Sequence, residues 1–220
     1  MIAKEYINND LPFLNPSDSI DRAITYFEDS KTAFLPVVKD RKYLGLVEEQ
    51  LLLNHPDYSI PIEETEYAYR NAYVEWHEHI YAVFQAMTEN QISLVPILDK
   101  NKNFLGSIDH QSIVSIVAQL SSAKSTGGIV ILSMNQNDYS LSSIARIAES
   151  NNLQILSAHL ITDFENPVNI NLNLKFNKDD IRSLIADFER HGYTISATFQ
   201  KDEIDVNMDR LEQFFKYLDL

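Results

Sequence analysis

Cysteine is absent from the 220 residues of this chain, and glycine occurs only five times. The first absence excludes a disulfide framework, a thiolate zinc site and a thiol nucleophile. It fits a reducing, cytoplasmic setting. The second leaves little material for backbone cradles. Gly45, Gly106, Gly127, Gly128 and Gly192 never fall into Gly-x-x-x-x-Gly-Lys-Ser/Thr, Gly-x-Gly-x-x-Gly or Gly-x-Ser-x-Gly. Nucleotide hydrolysis, dinucleotide chemistry and the nucleophile elbow therefore lose their motif support. Basic charge is scarce too: 18 Lys and Arg face 32 Asp and Glu, for a net charge of −14. The acids are spread along the chain, with 18 acids against 10 bases in residues 1–124 and 14 against 8 in residues 125–220. With no basic face, binding to nucleic acid by phosphate neutralisation and docking on an anionic membrane are both disfavoured. No apolar run approaches the roughly 18 residues that span a bilayer, and Met1-Ile2-Ala3-Lys4-Glu5 lacks the apolar core of a signal peptide. A soluble, non-exported protein is expected. What is present is a 45% hydrophobic share with 10% aromatics, enough for a packed core in one large or two small domains.

The most informative feature is an internal repeat. Ala33-Phe34-Leu35-Pro36-Val37-Val38 returns as Ser93-Leu94-Val95-Pro96-Ile97-Leu98, an offset of 60 positions. Upstream, Ile20, Ala23, Ile24 and Phe27 correspond to Ile80, Val83, Phe84 and Met87, the i, i+3, i+4, i+7 spacing of a buried helix face. Downstream the offset becomes 61, and Tyr43-Leu44-Gly45-Leu46-Val47 matches Phe104-Leu105-Gly106-Ser107-Ile108. Each unit reads helix, apolar strand with a proline, charged turn, second strand through a glycine, helix. The repeated proline removes a ladder donor and points to an edge or bulge where the chain is left unpaired. Asn15-Pro16-Ser17-Asp18 offers capping groups ahead of the first helix, and Glu75-Trp76-His77-Glu78 offers only charge ahead of the second.

The duplicated pattern, a helix followed by hydrophobic-Pro-Val-Val, a turn, Leu-Gly-Leu-Val and a helix, resembles a tandem pair of CBS domains over residues 1–122, with repeats at about 1–58 and 59–122. The resemblance implies a module with a pseudo-two-fold axis. It also implies clefts that hold adenosine-containing ligands in many relatives.

Residues 123–128 read as a linker, ending in Gly127-Gly128. Beyond it, residues 129–200 read β-α-β-β-α-β. Ile129-Val130-Ile131-Leu132 is a central strand, and Tyr139, Leu141, Ile144, Ala145 and Ala148 trace a helix. Leu153 to Ile161 forms a strand, and Val168 to Lys175 alternates strictly. Ile181, Leu184, Ile185 and Phe188 mark a helix that stops at Gly192, and Tyr193 to Phe199 is the last strand. The expected fold class is α+β: the repeat pair plus a C-terminal ferredoxin-like domain. That second domain resembles an ACT domain, although its first turn, Asn135-Gln136-Asn137-Asp138-Tyr139-Ser140, lacks the glycine that lets an amino-acid ligand approach. The tail, residues 201–220, places Leu211, Phe214, Phe215 and Leu218 at helical spacing, an amphipathic helix that docks on the body or on another subunit. The domain order resembles that of acetoin-utilisation-type regulatory proteins.

Candidate chemistry is sparse. His77 and His79 flank Glu78 and have His-x-His spacing, but they align with Ser17 and Ser19 at a helix start and no third histidine lies near, so no metal is expected. Trp76 with Tyr67, Tyr69 and Tyr73 interleaves with apolar residues as packing aromatics do. Adenosine-binding relatives carry Gly-hydrophobic-hydrophobic-Ser/Thr-x-x-Asp, with the hydroxyl at phosphate and the aspartate at ribose. This chain reads Gly45-Leu46-Val47-Glu48-Glu49-Gln50-Leu51 and Gly106-Ser107-Ile108-Asp109-His110-Gln111-Ser112. A carboxylate beside phosphate costs about 4 kcal/mol at about 4 Å and intermediate dielectric, so Glu48 and Asp109 disfavour polyphosphate. A neutral or cationic ligand suits them better.

The expected function is a non-catalytic, homodimeric, small-molecule-sensing regulator that needs no cofactor and takes an adenosine-like effector. The ligand would meet Phe34, Leu35, Pro36, Leu46, Val47 and Glu48 in one cleft and Leu94, Val95, Pro96, Ile108 and Asp109 in the other. Val47 and Ile108 also read as core. A ligand-free interaction scaffold is the alternative, followed by a metal-dependent enzyme using His77 and His79.

Overall fold

The computed structural model describes residues 1–65, 69–162 and 168–200, so Tyr67 and the tail helix expected around Leu211–Leu218 lie outside the described residues. The chain forms two compact units, Met1–Ile116 and Val117–Leu220. No helix among the described residues is long and apolar enough to cross a membrane.

In the first unit, α1 (Ile20–Ser30) buries Ile20, Ala23 and Phe27, the stripe that its spacing demands. It begins at Ser19, whose hydroxyl accepts the Arg22 N–H, and ends where Lys31 turns left-handed at φ 51° and returns its N–H to Phe27 O. The equivalent α3 (Ile80–Asn90) is capped by His79, whose ring Nδ1 accepts the Tyr81 N–H, and stops at left-handed Gln91. The caps thus lie one residue beyond the capping stretches expected from sequence. Asp18 and Glu78 close the preceding turns instead, accepting the N–H groups of Asn15 and Glu75 at 2.8 and 2.9 Å.

The hairpin β1 (Phe34–Lys39) and β2 (Lys42–Glu48) pairs Pro36 with Leu46 and Val37 with Gly45. Its two-residue turn puts Asp40 and Arg41 at φ 50° and 68°, the mirror-image geometry that matches strand twist, here without glycine. The second hairpin, β4 (Leu94–Leu98) and β5 (Phe104–Asp109), pairs Pro96 with Ser107 and Ile97 with Gly106. Both carry an irregularity just after the proline, between Val37 and Val38 and between Ile97 and Leu98. On the proline strand's other side lies only a short parallel partner, Leu14 beside Val37 or β3 (Val74–Glu75) beside Ile97 and Leu98. The missing proline donor is therefore accommodated at a bulge beside a minimal outer strand. Each hairpin runs into a helix, α2 (Glu49–Leu53) or α4 (His110–Leu120).

The two repeats complete each other. The 3₁₀ turn Ala3–Tyr6, which precedes the first repeat, donates Ala3 N–H to Glu78 O and Lys4 N–H to Trp76 O, ahead of the second repeat's helix. The 3₁₀ turn Ile62–Glu64, which precedes the second, donates Ile62 N–H to Asp18 O and Glu63 N–H to Pro16 O, ahead of the first repeat's helix. Farther on, Asn8 pairs with Ser107 on β5 and Arg70 pairs with Leu46 on β2. Gly45 and Gly106, at φ +149° and +144°, make this possible. A side chain on Gly45 would collide with Tyr69 Cβ, and one on Gly106 with Ile7 Cγ2. Ile62 consequently sits in the first repeat's core with Leu14, Phe27, Leu35, Val47 and Leu52, where full burial of such a side chain contributes about 1.5–3 kcal/mol.

The second unit orders β6 (Ile129–Asn135), α5 (Leu141–Ser150), β7 (Ile155–Thr162), β8 (Asn169–Phe176), α6 (Arg182–Arg190) and β9 (Thr194–Phe199). The sheet order is β7-β8-β6-β9 with every pair antiparallel, the split βαβ arrangement of ferredoxin-like folds. Every second residue of β8, from Ile170 to Phe176, is buried. Leu141 opens α5 exposed, and Ile147 joins Ile144 and Ala148 in the core. Gly127 lies at φ +141° against Phe176 O, and Gly128 N–H and O bond Lys178 O and Phe176 N–H. The turn after β6 closes as a 3₁₀ turn, Gln136–Asp138, capped by Asn135.

Candidate functional site

The register places the sequence-derived candidates opposite one another. Phe34, Leu35 and Pro36 face Glu48, Val47 and Leu46 in the first repeat. In the second, Leu94 and Val95 face Asp109 and Ile108, and Pro96 faces Ser107. Leu35, Val47, Leu46, Leu94, Val95 and Ile108 are all at most 2% exposed, so their surface is given to packing.

The two acids have different occupations. Glu48 Oε2 accepts a 2.7 Å hydrogen bond from Arg70 Nη2, while Arg70 Nη1 donates to Asn90 O at 3.2 Å. The same guanidinium stands 5.0 Å from the centroid of the Phe34 ring. Asp109 is nearly buried and accepts the Ser112 N–H at 2.8 Å, capping α4, where a carboxylate meets the positive end of the helix. In place of Arg70, the second repeat has Asn8, whose N–H bonds Ser107 O. The Ser107 hydroxyl is buried without a hydrogen-bond partner among the described residues.

An open cleft of about 460 Å³ lies at the other end of the strands, lined by Asn8, Phe13, Asn15, Asp40, Arg41 and Phe104 among others. None of the sequence-derived candidates lines it. Phe13 and Phe104 meet edge to face at 5.6 Å. Within the described residues the Arg41 guanidinium has neither a hydrogen bond nor an ion pair.

At the pseudo-symmetric position three exchanges of residue type give different contacts. Tyr73 stands for Phe13, Tyr43 for Phe104 and Glu75 for Asn15. Tyr43 and Tyr73 form the equivalent edge-to-face pair at 6.2 Å, but here the rings carry hydroxyls. Tyr43 donates to Ala72 O at 2.8 Å, and Lys102, the counterpart of Arg41, donates to the Tyr73 hydroxyl and lies 3.7 Å from Glu75. Burial pushes the Tyr43 phenol up from its ordinary value, partly offset by the bond to Ala72. The Tyr73 hydroxyl holds the Lys102 ammonium above its own ordinary value, helped by Glu75. Among the described residues Arg41 has no such partners, since Phe13 carries no hydroxyl and Asn15 no charge. The sequence signal was present at these aligned positions, but it lay outside the strand motifs.

His79 is committed to capping α3, and His77 Nδ1 lies 3.7 Å from Glu75. No group of three or more His, Cys, Asp or Glu side chains that could hold a metal ion occurs among the described residues.

Residues 3–56 match the profile of the CBS domain. Among solved structures, protein MJ1004 from Methanocaldococcus jannaschii is similar with a TM-score of 0.50 and 18% identity, over 55% of this chain and 61% of that one. A CBS domain pair/ACT domain protein from Thermotoga maritima gives 0.49 and 16%, over 53% and 96%. The CBS domains of a transcriptional regulator from Streptococcus pneumoniae give 0.47 and 16%, over 52% and 98%. No curated protein matches the chain. At such identities the likeness concerns the fold alone, over about half of the chain.

Proposed function

We propose that this chain is a non-catalytic, small-molecule-sensing regulator whose CBS-like repeat pair binds its effector in the open cleft beside Arg41. The observation that carries the proposal is the asymmetry of the two equivalent positions: in one Lys102 is tied to Tyr73 and Glu75, and in the other a cleft opens beside an Arg41 guanidinium that has no hydrogen bond or ion pair among the described residues. A concave site with aromatic walls and a few convergent polar groups suits a small organic ligand. The Phe13–Phe104 edge takes a flat apolar part, Asn8 and Asn15 take hydroxyl or amide groups, and Arg41 takes one acidic group. An adenosine-like compound with at most one phosphate meets these demands. Polyphosphate does not, because Asp40 shares the cleft.

The C-terminal unit, read as ACT-like, serves as the second regulatory domain of a homodimer. Its first turn closes without a left-handed residue, which supports a pairing role over amino-acid binding.

Thermal unfolding of the full chain against adenosine, AMP, S-adenosylmethionine and amino acids tests the site. A true ligand at 100 times its dissociation constant adds about 2.7 kcal/mol, and Arg41→Ala is expected to abolish that gain without changing unliganded stability. A flat response across the panel favours a ligand-free scaffold.

A further inference from the structure

Lys102 and Arg41 are equivalent residues in unequal company, and the difference describes a ligand. In the second repeat the Lys102 ammonium donates to the Tyr73 hydroxyl, stands 3.9 Å from the centroid of the same ring and lies 3.7 Å from Glu75 Oε1. One cation thus holds a hydroxyl, a ring and a carboxylate at once. In the first repeat Phe13 stands where Tyr73 does and Asn15 where Glu75 does, so the ring is kept while the hydroxyl and the carboxylate are not. The Arg41 guanidinium, with no hydrogen bond or ion pair among the described residues, lines the cleft of about 460 Å³ together with Phe13 and Asn15.

We propose, resting on the reading of this cleft as the effector site, that its ligand supplies the two missing groups: a monocarboxylate with a hydroxyl close beside it, the end of a 2-hydroxy acid. Both oxygens must lie within reach of one cationic head, as they do at Lys102, which places the hydroxyl on the carbon next to the carboxylate. A guanidinium improves on the ammonium, because its fork takes a carboxylate through two parallel N–H bonds and keeps further N–H groups for the hydroxyl. The edge formed by Phe13 and Phe104, whose ring centroids are 5.6 Å apart, takes the ligand's apolar remainder. Phosphate fits less well. Asp40 adjoins Arg41 in the same turn and lines the same cleft, and a phosphate monoester brings about 1.5 to 2 negative charges near neutral pH where a carboxylate brings one.

The test uses the full chain with 3-phenyllactate as the probe. It is compared with 3-phenylpropionate, which lacks the hydroxyl, 2-phenylethanol, which lacks the carboxylate, phenyl phosphate and AMP. Thermal unfolding over a concentration series gives each dissociation constant. At about ten times that constant 3-phenyllactate should raise the folded-to-unfolded ratio about elevenfold, and loss of its hydroxyl should weaken binding about threefold to tenfold. The exposed Arg41 allows Arg41→Ala, in which 3-phenyllactate should bind no better than 2-phenylethanol. Phe13→Tyr with Asn15→Glu gives Arg41 the partners that Lys102 has, and should remove the response to the probe. If 3-phenylpropionate, phenyl phosphate or AMP binds as tightly as 3-phenyllactate, or if Arg41→Ala keeps the full response to the probe, the proposal is overturned and the effector reading is judged on its own ligand panel. A flat response to all five compounds overturns both.

Discussion

Lys42 and Asn103, equivalent residues of the two repeats, face each other in an isolated antiparallel bridge. The bridge is itself two-fold: Phe104 N–H bonds Arg41 O at 2.8 Å, and Tyr43 N–H bonds Lys102 O at 3.3 Å. The pseudo-axis passes between them. At the opposite end of the hairpins, near the same axis, the Thr32 and Ser93 hydroxyls meet at 3.1 Å. Around this frame the equivalent clefts differ, so the asymmetry lies in side chains and not in the backbone plan.

The glycines beside the axis should respond unequally to substitution. Gly45→Ala meets Tyr69 Cβ, which is fixed to the backbone, with Arg70 O also close at 3.2 Å. Gly106→Ala meets only a methyl group of Ile7. Both should lose roughly 1–3 kcal/mol from strain and close contact, Gly45→Ala the more. Adding Ile7→Ala should recover part of the Gly106→Ala loss, whereas Tyr69→Ala keeps its Cβ and should recover none. Urea unfolding of the two double-mutant cycles measures this.

Removing residues 1–8 should weaken the start of the second repeat's helix while leaving the first repeat's helix intact. The lost donors are Ala3, Lys4 and Asn8, and the orphaned acceptors are Glu78 O, Trp76 O and Ser107 O. Hydrogen exchange should quicken around residues 76–82 and stay unchanged in α1. Loosening confined to α1 would contradict the reciprocal arrangement.

Ser107→Ala should leave stability unchanged or raise it by up to about 1 kcal/mol, because it removes a buried hydroxyl that has no partner among the described residues. Thr32→Ala should cost about 1 kcal/mol, because that buried hydroxyl bonds both Ser93 Oγ and Phe34 O. Equilibrium unfolding in urea distinguishes the two.

Asp99 orders the second hairpin's turn, accepting Asn103 N–H and Asn101 N–H at 2.8 Å each and the Asn103 amide at 2.8 Å. These bonds, led by that from Asn103 N–H, hold its carboxyl below the ordinary value of 3.8. A lowered carboxylate contributes stability that is fully present above the unfolded value and is lost as pH falls through the folded one. Asp99→Asn should therefore be less stable than the parent at neutral pH and converge with it as pH falls below the ordinary carboxylate range. A pH series of urea midpoints measures the convergence.

Much of the fold was legible. Pro36 and Pro96 with Gly45 and Gly106 are identical residues at repeating offsets, and the alternation in β8 is strict because one of its faces covers a core. The reciprocal completion was not legible. Ala3 and Ile62, or Asn8 and Arg70, share no residue type, since a short segment giving backbone hydrogen bonds needs no particular side chains. Nor was Arg70 visible as the partner of Glu48, a contact across 22 positions. Glu48 was read as an unneutralised charge facing a ligand, and in the structure its countercharge comes from the protein itself. Spacing placed Leu141 in its helix but did not single out Ile147 as buried, because the burial of each helical position depends on what packs against it.

The exchange of leading segments has a consequence for how the two halves came to differ. A chain with a single repeat could finish its fold only by trading that segment with a second copy, and a symmetric dimer must carry the same residues in both of its clefts. Joining the copies end to end removes that obligation. Position 73 can then be tyrosine while position 13 is phenylalanine, and position 70 can be arginine while position 8 is asparagine. The two halves are thereby free to commit their equivalent basic residues, Arg41 and Lys102, to different surroundings.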